Sequence, residues 1–223
     1  MNLKTINDCI SQYKNIIKCP DYNGWRLWEL TAQFQENWDM DASRLQDIYK
    51  ASFEINSPLW HRDFFYPKKA MERYININED LAKAIFKDLL NEKKDLTQRI
   101  NRFIFQCDLL YKLENDGNEK AGPHYHANKE MIFTYLAFKF PDQYSLYNFL
   151  SFKTFMDKVG SKYSPQEEDI DRFVKVCHTL SVLIQKDEEL VKFVSNKVYS
   201  FTNGKLYPML MVFELYALVD EYK

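Results

Sequence analysis

Apolar residues recur at steps of three and four along almost the whole chain, and that spacing commits it to helices. Leu3 to Ile17 carries Ile6, Cys9, Ile10, Tyr13 and Ile17 on one face. A helix from Trp25 towards Trp38 has two apolar stripes, Trp25, Trp28 and Ala32 on one and Leu27, Leu30 and Phe34 on the other. Two stripes predict burial on most of its surface. Leu81, Ile85 and Leu89 mark a helix from Asn78 to Asn91, and Leu96, Ile100, Phe103, Cys107 and Leu110 mark one from Asp95 to Leu113. Only 5 of 223 residues are glycine. Doubly wound nucleotide folds spend glycines at their phosphate turns, so this scarcity argues against them. The fold class expected is all-α, a compact multi-helix domain.

Breaks in the pattern give the rest of the organisation. Asp41 or Ser43 is placed to cap a short helix through Ile48 and Phe53. Residues 54–69 read as irregular, with Pro58, Pro67 and the aromatic cluster Trp60, Phe64, Phe65 and Tyr66. The polar, glycine-containing stretch from Glu114 to Pro123 is the best linker, which predicts lobes at 1–116 and 117–223. Beyond it, Phe133, Leu136, Ala137 and Phe140 share a helix face that Pro141-Asp142 ends, and Ser145 is expected to cap a helix carrying Tyr147, Leu150 and Phe155. Ser164-Pro165-Gln166-Glu167 reads as a capped helix start for a run towards Ile184. Glu188 to Val198 forms a short helix, Asn203-Gly204 a turn, and Tyr207 to Tyr222 a closing apolar helix.

Hydrophobic content of 46% suffices for a substantial core. A net charge of −2 gives no global attraction to phosphates, so any nucleic-acid contact needs a local patch. The four cysteines at 9, 19, 107 and 177 contain no CxxC pair, which argues against a zinc site or a disulfide framework and for reduced thiols in a cytoplasm. No signal peptide pattern opens the chain and no run is long enough to span a membrane.

Three segments resemble, in order, the N-terminal region of McrB-type AAA+ proteins of modification-dependent restriction systems. Phe34-Gln35-Glu36-Asn37-Trp38-Asp39-Met40-Asp41-Ala42 is similar to their H-F-Q-E-N-W-D-I-D-A pattern, with Gln33 where they carry His. Asp95-Leu96-x-x-Arg99-Ile100 resembles their D-L-x-x-R-I helix. Phe140-Pro141-Asp142-Gln143-Tyr144, Tyr147 and Phe152-Lys153-x-Phe155 resemble YPDKY-x-x-Y-x-x-x-x-F-K-x-F, with Phe for the first Tyr and Gln143 for the Lys. The resemblance implies recognition of DNA, modified or foreign, on behalf of a separate AAA+ motor and a nuclease subunit. No GxxxxGK[ST] occurs, so the motor's phosphate cradle is not in this chain. A fragment of a longer protein and a free-standing relative of the region both fit.

The chemistry-bearing residues fit binding better than catalysis. Basic clusters lie at Lys68-Lys69 with Arg73, at Lys93-Lys94 with Arg99 and Arg102, and at Lys139, Lys153 and Lys158. Acidic neighbours Glu92, Asp95 and Asp157 are interleaved with them, as on an ordinary solvated face. Lysine or arginine beside aromatics holds phosphates and stacks bases. The candidate contacts are Lys68, Lys69, Arg73, Tyr144, Tyr147 and Lys153, the two tyrosines being expected to reach the surface near the Pro141 turn. His124-Tyr125-His126 supplies two imidazoles, half of a metal site that His61 or His178 would have to complete, and the plainer reading is a polar loop. Pro141-Asp142 and Glu221-Tyr222-Lys223 match the letters of a Mg²⁺ nuclease site but sit in helical context. No enzyme, metal or cofactor is therefore expected. The rival to DNA recognition is a helical protein-interaction or assembly module of a defence complex, which the near-neutral charge favours.

Overall fold

The computed structural model describes residues 1–60, 66–115 and 129–221. All regular structure among them is helical: α1 (Leu3–Ile17), α2 (Trp25–Asn37), α3 (Leu45–Ser52), a 3-10 turn at Pro58–Trp60, α4 (Pro67–Ile77), α5 (Glu79–Leu89), α6 (Leu96–Glu114), α7 (Glu130–Lys139), α8 (Phe149–Lys158), α9 (Ile170–Ile184), α10 (Glu188–Thr202) and α11 (Pro208–Glu221). None is long and apolar enough to cross a membrane. The expected lobe boundary at 116/117, the residues His61, Phe64, Phe65, His124 and His126, and the Tyr222-Lys223 end of the nuclease pattern lie outside the described residues.

The chain divides into two compact units, Met1–Ala32 with Leu136–Lys223, and Gln33–Tyr135. Chain order and compact unit therefore do not coincide, because the first 32 residues group with the C-terminal half. In the first unit α11 is the central helix, packed by α1, α8 and α9. It can be central because Met209, Leu210, Met211, Val212, Leu215 and Tyr216 are all buried around its circumference. On it, the Tyr216 ring meets Phe152 of α8 and Phe173 of α9 edge-on, and its hydroxyl donates to the Leu146 carbonyl at 2.5 Å. In the second unit α3, α4, α5 and α6 pack on one another. Their core is aromatic: Phe34 stacks on Trp38 at 4.7 Å, Trp38 meets Phe86 edge-on at 5.0 Å, and Phe86 meets Tyr135 edge-on at 5.0 Å. The Tyr49 and Tyr135 hydroxyls, both buried, satisfy each other at 3.0 Å.

Four local expectations are corrected. The stretch read as irregular up to residue 69 already contains the start of α4, with Pro67 at its first turn, where a missing N–H costs nothing. The cap of α8 is Asn148, whose side chain accepts from Ser151 N at 3.0 Å, and not Ser145, which is buried one turn earlier. The cap of α9 is Asp169, accepting from Arg172 N at 3.2 Å, so the helix starts five residues beyond Ser164-Pro165. Likewise Arg44, and neither Asp41 nor Ser43, holds the cap position of α3, without a side-chain bond.

Candidate functional site

The six residues expected to touch DNA divide three and three between the units: Lys68, Lys69 and Arg73 in one, Tyr144, Tyr147 and Lys153 in the other. Lys68 is half-buried on α4 and its ammonium donates to the Phe53 carbonyl. Arg73 is exposed and paired with Glu114. Lys69 is exposed over the Tyr66 ring, 5.5 Å from its centroid. Lys153 is exposed on α8. The two tyrosines are not at the surface: Tyr144 is 6% exposed and Tyr147 is 4% exposed. Tyr147 turns inward because its hydroxyl finds the Glu167 carbonyl at 3.2 Å while its ring meets Phe173 at 4.8 Å. Three of the four cations in the cluster after α5, Lys94, Arg99 and Arg102, are paired with nearby carboxylates. Arg99 is 2% exposed and donates to the Leu89 carbonyl at 2.6 Å and to Glu92 at 2.7 Å. Lys94 and Arg102 both pair with Asp88. Burial opposes ionisation there, but the two cations outweigh it and hold the Asp88 carboxyl below the usual range.

The residues that carry the resemblance are mostly structural. Phe34 and Trp38 lie in the aromatic core, Asp95 caps α6 through Gln98 N at 2.9 Å, and Arg99 ties the α5–α6 turn. Tyr144, Phe152 and Phe155 are buried.

Two exposed features remain. On α6, Phe105, Leu109 and Leu113 stand one turn apart and are 64%, 40% and 57% exposed. The opposite face, through Ile100, Phe103, Cys107 and Leu110, is the buried one. Steps of four place the three exposed side chains in one row. The other feature is an open cleft of about 550 Å³ after α8, lined by Met1, Asn2, Met156, Lys162, Tyr163, Arg172 and Val176, among others. Gly160, at φ +63°, closes α8 in a left-handed turn, and Ser161 N reaches back to the Met156 carbonyl at 3.0 Å. This presents Tyr163 to Arg172, whose guanidinium lies 3.8 Å from the ring centroid, while the Tyr163 hydroxyl donates to Asp169 at 2.7 Å.

The least expected group is a buried carboxylate. Glu214, on the apolar α11, is 4% exposed. Tyr13 of α1 donates to one oxygen at 2.6 Å, and Tyr22 and Trp28 of α2 donate to the other at 2.7 and 3.1 Å, Tyr22 reaching it from the α1–α2 loop. Burial pushes the carboxyl up to about 7, against the pull of the three hydrogen bonds. Gly24 makes room for this: a Cβ there would lie 2.0 Å from the Tyr22 hydroxyl oxygen. A lone acidic residue inside an apolar helical run was the available signal for this site.

Among the described residues no group of three His, Cys, Asp or Glu side chains is placed to hold a metal ion, and His178 is exposed. The four cysteines are unpaired thiols, with only Cys19 exposed. No family model matches the chain, and no curated protein or solved structure is significantly similar to it.

Proposed function

We propose that this chain is a non-catalytic docking module of a McrB-like restriction or defence assembly, and that it holds a partner protein on α6. The observation that carries the reading is the exposed row Phe105, Leu109 and Leu113. Exposed apolar side chains scattered singly need no explanation, but a contiguous strip of them marks a surface that meets another protein. An amphipathic partner helix reads such a strip at its own i, i+4 spacing. The resemblance supplies the partner class, the AAA+ motor subunit. In this reading the module works in the cytoplasm, turns over no substrate and needs no cofactor.

Recognition of DNA for the same motor is the second reading. It draws on the order of the three resembling segments and on the Lys162, Tyr163 and Arg172 side of the cleft, where a cation already stacks on an aromatic ring. The burial of Tyr144 and Tyr147 and the internal partners of Lys68 and Arg73 weigh against the contacts first expected. Fluorescence anisotropy with unmodified and cytosine-methylated duplexes at low and high salt separates the two. The docking reading expects no saturable binding to either duplex. Binding that falls steeply with salt and prefers the methylated duplex would replace it with DNA recognition.

A further inference from the structure

Glu214 is held by three separate stretches of its unit. Two donors, Tyr13 and Trp28, sit on the packed helices α1 and α2 and are fully buried. The third, Tyr22, belongs to the α1–α2 loop, where Lys18, Cys19, Pro20, Asp21 and Asn23 are exposed. The loop is held at its start by the Lys18 ammonium on Glu189 at 2.5 Å and by the Cys19 thiol on the Asn15 carbonyl. Cys19 N donates to the Ile16 carbonyl, Tyr22 N to that of Cys19, and Arg26 and Leu27 N to those of Asn23 and Gly24. The Tyr22 ring adds an edge contact on Trp25 at 5.0 Å. Tyr22 is the one donor of the three that is partly exposed, so its release is the opening that brings water to the carboxyl.

Among the described residues, every group that acts on Glu214 is uncharged. From α1 it is Tyr13, whose neighbour Lys14 is paired with Asp187 and Glu189. From the loop it is Tyr22, and from α2 it is Trp28, whose other neighbour is the stacked Tyr207 ring at 5.9 Å. Asp142 acts on Tyr207 and not on Glu214. α8 and α9 bring Phe152, Phe173 and Cys177 to Tyr216 and add no charge to Glu214. An anion formed here has donors but, among the described residues, no counter-cation, and admitting water is what relieves it.

We propose that Glu214 is a proton-operated latch on the α1–α2 loop, closed while the carboxyl is protonated and loosened as it ionises. Any opening that returns Glu214 to water restores its ordinary ionisation, so opening becomes easier as pH rises through neutrality. With the carboxyl at about 7 when closed and 4.5 when open, the opening constant rises about tenfold between pH 6 and pH 8.

The test is amide hydrogen exchange of the intact chain, read at the Tyr22, Arg26 and Leu27 amides and corrected for the intrinsic pH dependence of exchange. Protection at these amides should fall about tenfold from pH 6 to pH 8, and the fall should vanish in Glu214→Gln. Tyr22→Phe keeps the ring but removes a donor that favours the anion. It should move the fall to higher pH, and it serves if the first variant does not fold. Protection that is flat with pH in the unaltered chain, a fall that survives in Glu214→Gln, or an unmoved profile in Tyr22→Phe each overturns the latch.

Discussion

Replacing Glu214 by Gln should turn a pH-dependent stability into a flatter one, and the size of the effect follows from the site. In the unfolded chain the carboxyl has its ordinary value of 4.5, and in the folded chain burial raises it to about 7. The folded state therefore binds the extra proton between these values. The group's contribution is fully present below 4.5 and is lost as pH rises through 7. The full difference is worth about 3 kcal/mol, of which about 2.5 falls between pH 5 and pH 8. Glutamine keeps the shape and an acceptor oxygen for Tyr22 and Trp28 but cannot ionise. Asp88, Asp187 and Glu189 are held below their usual ranges, so they act in the opposite sense and at lower pH, in both proteins alike. Urea unfolding of the two proteins at pH 5 and pH 8 isolates Glu214 as the change in their stability difference. That difference should move by about 2.5 kcal/mol in favour of Glu214→Gln at the higher pH. A difference that stays constant with pH would show that Glu214 ionises as it does in water, and would refute the reasoning.

Gly24→Ala should displace the Tyr22 hydroxyl and cost about 1–2 kcal/mol in urea unfolding. Its effect should add only in part to that of Tyr22→Phe: both remove the bond to Glu214, but the new Cβ also meets the ring carbons, at 2.3 and 2.8 Å, which Phe keeps. Tyr49→Phe or Tyr135→Phe alone removes the bond between the two buried hydroxyls and should cost about 1–2 kcal/mol, whereas the double variant should cost less than the sum. Arg99→Ala should lower stability by about 2–3 kcal/mol, because it strips the Leu89 carbonyl and Glu92 of a donor that is itself 2% exposed.

Where an apolar face repeats without interruption, the sequence is enough. The bounds of α1 coincide with the expected Leu3–Ile17, and the buried stripe of α6 contains the expected Ile100, Phe103, Cys107 and Leu110. The all-α class follows from the same periodicity. Helix starts were harder wherever several short polar residues compete. Ser145 and Asn148, or Ser164 and Asp169, are all competent caps, and only the packing of Phe152 and Phe173 selects among them. α4 was hidden because Pro67 reads as a breaker until it is known to be the first residue of a turn. The burial of Tyr147 was not legible because its acceptor is a backbone carbonyl 20 residues away. The site around Glu214 was missed inside a helix read simply as apolar, because its partners come from residues 13, 22 and 28, which no local pattern connects to it.

In the proposed reading, α6 is a docking face for the motor. Phe105→Ser with Leu113→Ser should leave the fold intact, since both side chains are more than half exposed. Analytical ultracentrifugation of the chain mixed with a McrB-type AAA+ motor from the same genome, at high salt, tests the claim directly. Docking on α6 predicts co-sedimentation of the unaltered chain that persists at high salt and is lost in the double variant. Independent sedimentation of chain and motor, or a complex that the double variant still forms, would contradict it.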